Sequence, residues 1–137
     1  MEPYIHKVQY YETDKMMITH HSNYIRWMEE ARVDFLEKIG YGFDRLEAEG
    51  VTSPVVSVEC KYKATTTFPE AIAINVFVKE FKGVKLVLGY EMRKVADDTL
   101  VFVGSSEHCF LDMGGKFVSV KKTNPALFEK LAGLVVE

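Results

Sequence analysis

The strongest constraint on the fold is a helical stripe of large apolar side chains between Tyr24 and Gly40. They recur at three- and four-residue spacing, which is the period of one helix face, at Tyr24, Trp27, Met28, Ala31, Phe35 and Ile39. Ile25, Arg32 and Leu36 widen the stripe, and Gly40 is a typical residue to end a helix. Because so apolar a helix is not stable alone in water, another part of the chain must cover it.

The segment before this helix, from Tyr11 to Asn23, is polar and follows neither a helical nor a strand period. We predict that Ser22 or Asn23 caps the helix, because a short side-chain oxygen can accept hydrogen bonds from the open amides of the first turn. Asp14, His20 and His21 then lie in a loop that leads into a helix N-terminus. Free amides and the helix dipole favour negative charge at that position.

The remainder of the chain supplies the covering surface, because from residue 56 onward apolar and polar residues alternate. The alternation predicts four long strands in series with hairpin connections, over 56–63, 72–78, 84–92 and 100–111. We also predict a first strand from Ile5 to Tyr11, a helical turn within 43–49, a last strand from Phe117 to Val120 and a helix that opens at Pro125. The result is an α+β fold, in which one domain of residues 1–137 forms a curved antiparallel sheet around a central helix.

Composition excludes several function classes. A formal net charge of −3 disfavours nucleic-acid binding, which needs a concentrated basic face. No apolar run suits a signal peptide or a membrane span, so we expect a cytoplasmic protein. Cys60 and Cys109 lack metal-ligand spacing and are expected to be buried free thiols.

A longer motif links the polar loop to the helix: Y-E-T-D-x-M-x-x-x-H-H-S-N-Y-x-x-W-x-E-x-A-R, from Tyr11 to Arg32. It resembles the signature of hotdog-fold acyl-CoA thioesterases of the 4-hydroxybenzoyl-CoA thioesterase type, and the resemblance extends over the whole chain. It implies that Asp14 is the catalytic nucleophile or general base and that the backbone amide of His21 polarises the thioester carbonyl. It also implies active sites at a subunit interface, hence a homodimer or homotetramer.

The resemblance further implies which residues bind substrate. We expect Met17, His20 and Tyr24 near the acyl group, and Lys82 and Lys85 near the phosphates of coenzyme A, in competition with Lys61 and Lys63. An acyl carrier protein could take the place of coenzyme A, and the acyl chain is left open. No metal or redox cofactor is expected beyond coenzyme A itself. Relatives commonly carry glycine at the position of Met17, where a methionine cannot adopt a positive φ without cost.

Other readings of the same residues are weaker. His20 and His21 with Glu12 and Asp14 could suggest a metal site, but adjacent histidines rarely converge on one ion. Ser105, Ser106 and His108 imitate parts of a hydrolase triad, yet they lie in one strand without a nucleophile elbow. Glu29 and Arg32 have the spacing of a helical ion pair. Two rival functions also stay open: a module that binds acyl thioesters without cleaving them, and a hotdog dehydratase.

Overall fold

The architecture is a five-stranded antiparallel sheet that wraps around one long helix. We describe residues 1–136 from a computed structural model. The strands are β1 (Tyr4–Lys7), β2 (Val51–Thr52), β3 (Val55–Tyr62), β4 (Ala71–Phe81), β5 (Leu86–Lys94), β6 (Leu100–His108) and β7 (Leu111–Asp112). The helices are α1 (Asn23–Lys38), α2 (Phe43–Ala48), α3 (Val120–Thr123) and α4 (Pro125–Ala132), with a 3₁₀ turn at Tyr10–Glu12. The predicted α+β class is confirmed.

The central helix α1 buries the stripe that the sequence predicts. All six residues that define the stripe are at most 7% exposed: Tyr24, Trp27, Met28, Ala31, Phe35 and Ile39. Leu36 is buried with them, whereas Ile25 is 46% exposed, so its predicted place in the stripe is wrong. The helix ends as predicted at Gly40, whose φ of +87° lets the Tyr41 amide turn back to the Leu36 carbonyl at 2.8 Å.

The sheet has the order β1-β4-β5-β6-β3, with β2 and β7 forming a separate two-stranded pair. The hairpins β4–β5 and β5–β6 are confirmed, and their inward residues are fully buried, for example Ile72, Leu88 and Phe102. The predicted hairpin between the first two long strands is wrong, because β3 pairs with β6 and not with β4. The connection 63–70 therefore runs from β3, at one edge of the sheet, to β4, which lies next to the opposite edge strand β1. On the way, its Thr66 carbonyl accepts the Thr19 amide of the Asp14 loop.

Three further strand predictions need correction. The first strand ends at Lys7 because the chain curls into the 3₁₀ turn, where the Glu12 carboxylate accepts the Gln9 amide at 2.8 Å. The long strand 100–111 divides into β6 and β7. Phe117 makes only an isolated bridge to Leu111, and the chain then enters α3 at Val120, whose amide donates to the Gly83 carbonyl.

Strand β3 forms one edge of the sheet, and its apolar side is not covered by its own chain. Val58 and Tyr62 lie opposite the buried residues Ser106 and Phe102 of β6, so they share the face that packs on α1. Nevertheless Val58 is 38% exposed and Tyr62 is 46% exposed. An apolar edge strand of eight residues is suited to pairing with another chain.

Two expectations drawn from composition can be compared with the structure. Cys60 and Cys109 are free, as predicted, but both are half-buried and not fully buried. Within residues 1–136, no helix is both long and apolar enough to cross a membrane.

Candidate active site

The loop that carries Asp14 is a small closed structure. Thr13 and Thr19 form a bridge at its base, and the Asp14 amide donates to the Ile18 carbonyl at 2.9 Å. One carboxylate oxygen of Asp14 accepts the Met16 amide at 2.8 Å. The side chain is half-buried, so the loop holds an acid in a fixed place that water and a substrate can still reach.

Met17 stands in the tip of this loop with a φ of +64°, the left-handed conformation that glycine adopts without cost. The loop thus adopts a positive φ at this position, although the residue is methionine and not glycine. Its amide donates to the Asp14 carbonyl at 2.9 Å, and its carbonyl accepts the Thr67 hydroxyl at 2.5 Å. Because the side chain is 57% exposed, it gains little from burial to offset the strain.

Met17→Gly is therefore expected to stabilise the fold. Relief of the left-handed strain is worth about 1–2 kcal/mol, and the extra freedom of glycine in the unfolded chain removes about 0.4–1 kcal/mol of that gain. Urea unfolding should show a net gain of at most ~1.6 kcal/mol. Met16→Gly is the matched control, since Met16 is 72% exposed and is not among the residues with positive φ; it should lose stability. A loss in both variants would contradict the argument from strain.

The N-terminus of α1 is not capped in the way that the sequence predicts. The Ser22 side chain accepts no hydrogen bond from the first turn, and Ser22 itself has helical dihedral angles. The Asn23 side chain points backward and donates to the carbonyls of Glu12 and His20, both at 3.1 Å. Asn23 thus ties the loop to the helix instead of capping its first turn.

The His21 amide is the donor of this turn that stays unused. The neighbouring amides are engaged, since Ser22 donates to the His20 ring, Asn23 to the His20 carbonyl and Tyr24 to the His21 carbonyl. Across residues 1–136, the His21 amide has no intramolecular acceptor. An open amide at a helix N-terminus is suited to bind a developing oxyanion.

Aromatic and hydroxyl side chains support this turn. The rings of His20 and His21 stack at 4.3 Å, and Nδ1 of His20 lies 2.9 Å from the Ser22 hydroxyl. The Tyr62 hydroxyl donates to the His21 carbonyl at 3.3 Å. In the described part of the chain, neither histidine is hydrogen-bonded to Asp14. Their rings therefore do not orient the acid.

Tyr24 lies in the first turn of α1, and its side chain is buried beneath the loop. Its hydroxyl lies 2.9 Å from the Thr66 hydroxyl, which in turn lies 2.6 Å from that of Thr19. Burial raises the pKa of Tyr24, so this hydroxyl stays neutral near physiological pH. Tyr24 therefore joins the helix to the crossing connection and to the base of the loop. This contact is structural, and the ring is only 3% exposed within one chain.

The triad-like residues form a pair, but an inaccessible one. Ser106 and His108 are two residues apart on β6, so they share a face, and the hydroxyl lies 2.7 Å from Nε2 of His108. Ser106 is 1% exposed and His108 is fully buried. Burial, followed by the nearby Arg32 charge, lowers the pKa of His108 to about 4. A substrate cannot reach this pair, which serves the core.

Two weaker readings of the sequence can be compared with the structure. The Glu29–Arg32 ion pair is absent from the described residues, because Arg32 turns inward and donates to the Tyr90 hydroxyl at 3.2 Å. Within residues 1–136, no three His, Cys, Asp or Glu side chains are grouped so that they could hold a metal ion.

Lys82 and Lys85 lie far from Asp14 within one chain. They stand in the turn after β4, whereas the Asp14 loop contacts residues 66 and 67, which precede β4. Eleven strand residues separate the two ends, a span of roughly 35 Å. Lys85 also lies 3.8 Å from Glu107. The two lysines can serve the site only if another chain presents them.

The cavities of the single chain lie away from the acid. The largest, of about 640 Å³, opens on the outer side of α1 and is lined by Tyr4, Arg26, Glu29, Glu30, Val33, Asp34 and Glu37. Its four carboxylates would repel the phosphates of coenzyme A. A second open cavity, of about 400 Å³, lies between α2 and the β2–β7 pair. Among the cavities found in residues 1–136, none is lined by Asp14 or His21.

Sequence reasoning missed a buried polar network beneath the loop. Glu12 is 5% exposed, and its carboxylate accepts from the Gln9 amide at 2.8 Å and from the Trp27 indole at 2.8 Å. One of its oxygens lies 2.9 Å from Nε2 of His6, and Nδ1 of His6 lies 3.0 Å from Glu30. Burial raises the pKa of Glu12, but the three hydrogen bonds and the His6 charge outweigh it, so that the pKa lies below its ordinary value.

Comparisons with known proteins agree on one family. Residues 8–131 match the model of the thioesterase-like superfamily. The chain is 31% identical over 119 residues to the Bacillus subtilis (strain 168) protein named "Putative acyl-CoA thioesterase YneP", covering 87% of this chain and 86% of that one. The structure of the DHNA-CoA thioesterase from Staphylococcus aureus superposes with a TM-score of 0.89 at 27% identity, over 96% of this chain and 89% of that one. The structure of a hypothetical protein from Aquifex aeolicus superposes with a TM-score of 0.85 at 30% identity, over 93% of this chain and 97% of that one.

Proposed function

Since the chain belongs to the thioesterase-like superfamily, we propose that it hydrolyses the thioester of an acyl-CoA to a free acid and coenzyme A, with Asp14 as nucleophile or general base. The observation that carries this proposal is the pairing of an accessible acid with an open amide. Asp14 is half-buried in a loop that Asn23 fastens to the helix start, and the His21 amide there has no acceptor among the described residues.

The chemistry requires little more than these two groups. As the thioester carbonyl is attacked, its oxygen gains negative charge, and a preorganised amide stabilises that charge by about 3–4 kcal/mol. Asp14 either attacks the carbonyl itself and forms a mixed anhydride, or removes a proton from the attacking water. In both routes the carbon–sulfur bond breaks and coenzyme A leaves as a thiolate. In the first route water then hydrolyses the anhydride, which releases the free acid and regenerates the Asp14 carboxylate. Because that thiolate is a good leaving group, a strong general acid is not needed.

The substrate class rests on the relatives. One is named as an acyl-CoA thioesterase and another acts on DHNA-CoA, so we propose acyl-CoA as substrate and keep an acyl carrier protein as the alternative carrier. The two free thiols suit a reducing compartment, which favours the cytoplasm as the place of the reaction.

A second copy of the chain would complete the site. The apolar face and open edge of β3 favour antiparallel pairing with β3 of another protomer about a two-fold axis. At one end of β3, Tyr62 contacts His21. Antiparallel pairing of two β3 strands places this end beside the Val55 end of β3 in the second copy. Lys85 directly precedes Leu86. His108 of β6 pairs with Leu86 on one side and with Val55 on the other, so Lys85 lies near the Val55 end of β3. The lysines of the second copy would thus lie at the Asp14 end of the first.

Val58→Lys tests this assembly, because it places a charge on the uncovered apolar face of β3. We expect light scattering at micromolar concentration to show a monomer, and thioester hydrolysis to fall at least tenfold. Stability of the monomer should change little, since Val58 is already 38% exposed. Val95→Lys is the control, because Val95 is 55% exposed in the turn after β5 and should leave assembly and activity unchanged. An active monomer would refute both the shared sheet and the two-chain site.

The experiment that tests the function itself is thiol release from a panel of acyl-CoAs that differ in chain length and aromatic content. We expect free thiol and free acid to appear in equal amounts over many turnovers with at least one class. The same panel is titrated by calorimetry, because a binding module would bind an acyl-CoA without releasing thiol. Saturable binding without release would overturn the proposal in favour of that alternative.

A further inference from the structure

Three elements around the Asp14 loop meet at one buried carboxylate. Glu12 accepts from the His6 ring on β1, from the Gln9 amide at the start of the 3₁₀ turn and from the Trp27 indole on α1. Each distance is 2.8 or 2.9 Å, and His6, Glu12 and Trp27 are all at most 9% exposed. The carboxylate thus fixes the relative positions of a strand, a turn and the central helix.

The backbone of the same residue holds the loop. The Glu12 carbonyl accepts the His20 amide at 2.8 Å and the Asn23 side chain at 3.1 Å. Thr13 follows directly and forms the bridge that closes the loop around Asp14. A shift of Glu12 would therefore move both the acid and the helix start that offers the His21 amide.

His6 links this buried carboxylate to a second one. Its Nε2 lies 2.9 Å from an oxygen of Glu12, and its Nδ1 lies 3.0 Å from an oxygen of Glu30, which also accepts the Tyr4 hydroxyl at 2.7 Å. The imidazole ring also lies against the Trp27 ring, with centroids 4.5 Å apart. The ring is thus enclosed by two carboxylates and an aromatic face, which holds Glu12 in one position.

We propose that Glu12 is a positioning residue of the active site, and that its carboxylate, held by the His6 ring, the Gln9 amide and the Trp27 indole, sets the distance between Asp14 and the His21 amide. This inference rests on the proposed thioesterase function and adds a role that neither the acid nor the amide fills. Displacement of a reacting group by about 1 Å can lower a rate by about 10²-fold, so a residue beneath the site can control it without contact to substrate.

Glu12→Gln tests the proposal. Glutamine keeps the volume, but it offers one acceptor oxygen to three donors, and its amino group must face an N–H. We expect kcat to fall by about 10–100-fold and KM to change less than threefold, because the groups that bind substrate are untouched. Glu29→Gln is the matched control: it makes the same chemical change at an exposed position of α1 and should behave like the parent protein.

A spectroscopic measurement tests the hydrogen bonds of Glu12 independently of activity. In proton NMR the Trp27 indole N–H of the parent protein should resonate downfield because it donates to the Glu12 carboxylate, and Glu12→Gln should shift it upfield. If Glu12→Gln does not fold, Trp27→Phe is the second variant, because it removes one donor to Glu12 and retains an aromatic ring. Its kcat should also fall, but by a smaller factor.

The outcomes separate the two levels of the account. A parent protein without thioester hydrolysis would refute the proposed function, and the Trp27 indole resonance would still test the hydrogen bond to Glu12. A folded Glu12→Gln variant with the kcat of the parent protein, or with an unchanged Trp27 indole resonance, would overturn the positioning role while leaving the function intact.

Discussion

Asp14→Asn is expected to lower kcat for thioester hydrolysis by about 10²–10⁴-fold, with little change in substrate binding or thermal stability. Asparagine keeps the size of the side chain and its carbonyl oxygen, so the hydrogen bond from the Met16 amide can persist. What disappears is the negative charge and the basicity. Steady-state kinetics on the best acyl-CoA, with calorimetric binding and thermal unfolding on the same samples, check each part of this expectation.

The control is Asp98→Asn, which makes the same chemical change in another exposed loop. Asp98 has a φ of +62°, a conformation that asparagine tolerates, and it should retain the activity of the parent protein. If Asp14 served only to form its turn, Asp14→Asn would instead lose roughly 1 kcal/mol of stability with hydrolysis intact. Asp14→Glu should be slow if Asp14 attacks the carbonyl itself, because the longer side chain misplaces that attack, whereas the longer side chain can still activate water.

His21→Pro is expected to lower kcat by about 10²–10³-fold, the cost of removing one oxyanion donor. Proline lacks the backbone N–H, and residue 21 precedes α1, so the change deletes the His21 amide, which has no acceptor among residues 1–136, without breaking a hydrogen bond inside the helix. KM should change much less, since the donor acts mainly on the charge of the transition state.

His21→Ala separates the amide from the side chain. It removes the ring that stacks on His20 but keeps the N–H, and its kcat should stay within about threefold of the parent value. Circular dichroism and urea unfolding show whether the proline variant is folded. Equal rates in the proline and alanine variants would contradict the role of the amide and would shift attention to the ring.

The elements that the sequence predicts well are those whose side-chain period matches one covered face. The stripe of α1 is buried from Tyr24 to Ile39, and the alternation of β4, β5 and β6 places their apolar residues inside. In β3 the alternation is equally regular, but Val58 and Tyr62 remain partly exposed. A pattern shows that a face must be covered, and it does not show which strand lies beside it or which chain covers it. The hairpin from β3 to β4 was wrong for this reason.

Like the fold, the candidate site could be predicted from the sequence only in part. A local motif is enough to join the Asp14 loop to the helix start, because His21 follows Asp14 by only seven positions. The cap prediction was wrong because the Asn23 side chain donates to the carbonyls of Glu12 and His20 and does not accept from the amides of its own helix. The His6–Glu12–Trp27 network joins a strand, a turn and a helix through space, and no spacing rule predicts it. The φ of Met17 likewise comes from closure of the loop.

The measurement that tests the central claim most directly is single-turnover hydrolysis of an acyl-CoA in ¹⁸O-water, by the parent protein and by Asp14→Asn. For the parent protein we predict rapid release of coenzyme A with one ¹⁸O recovered in the product acid or in the Asp14 carboxylate. Label in Asp14 would identify the anhydride route; label in the acid alone fits activated water, or an anhydride opened at the acyl carbon. For Asp14→Asn we predict coenzyme A release slowed by about 10²–10⁴-fold. Release at the parent rate, with ¹⁸O entering the acid when residue 14 is asparagine, would contradict the account.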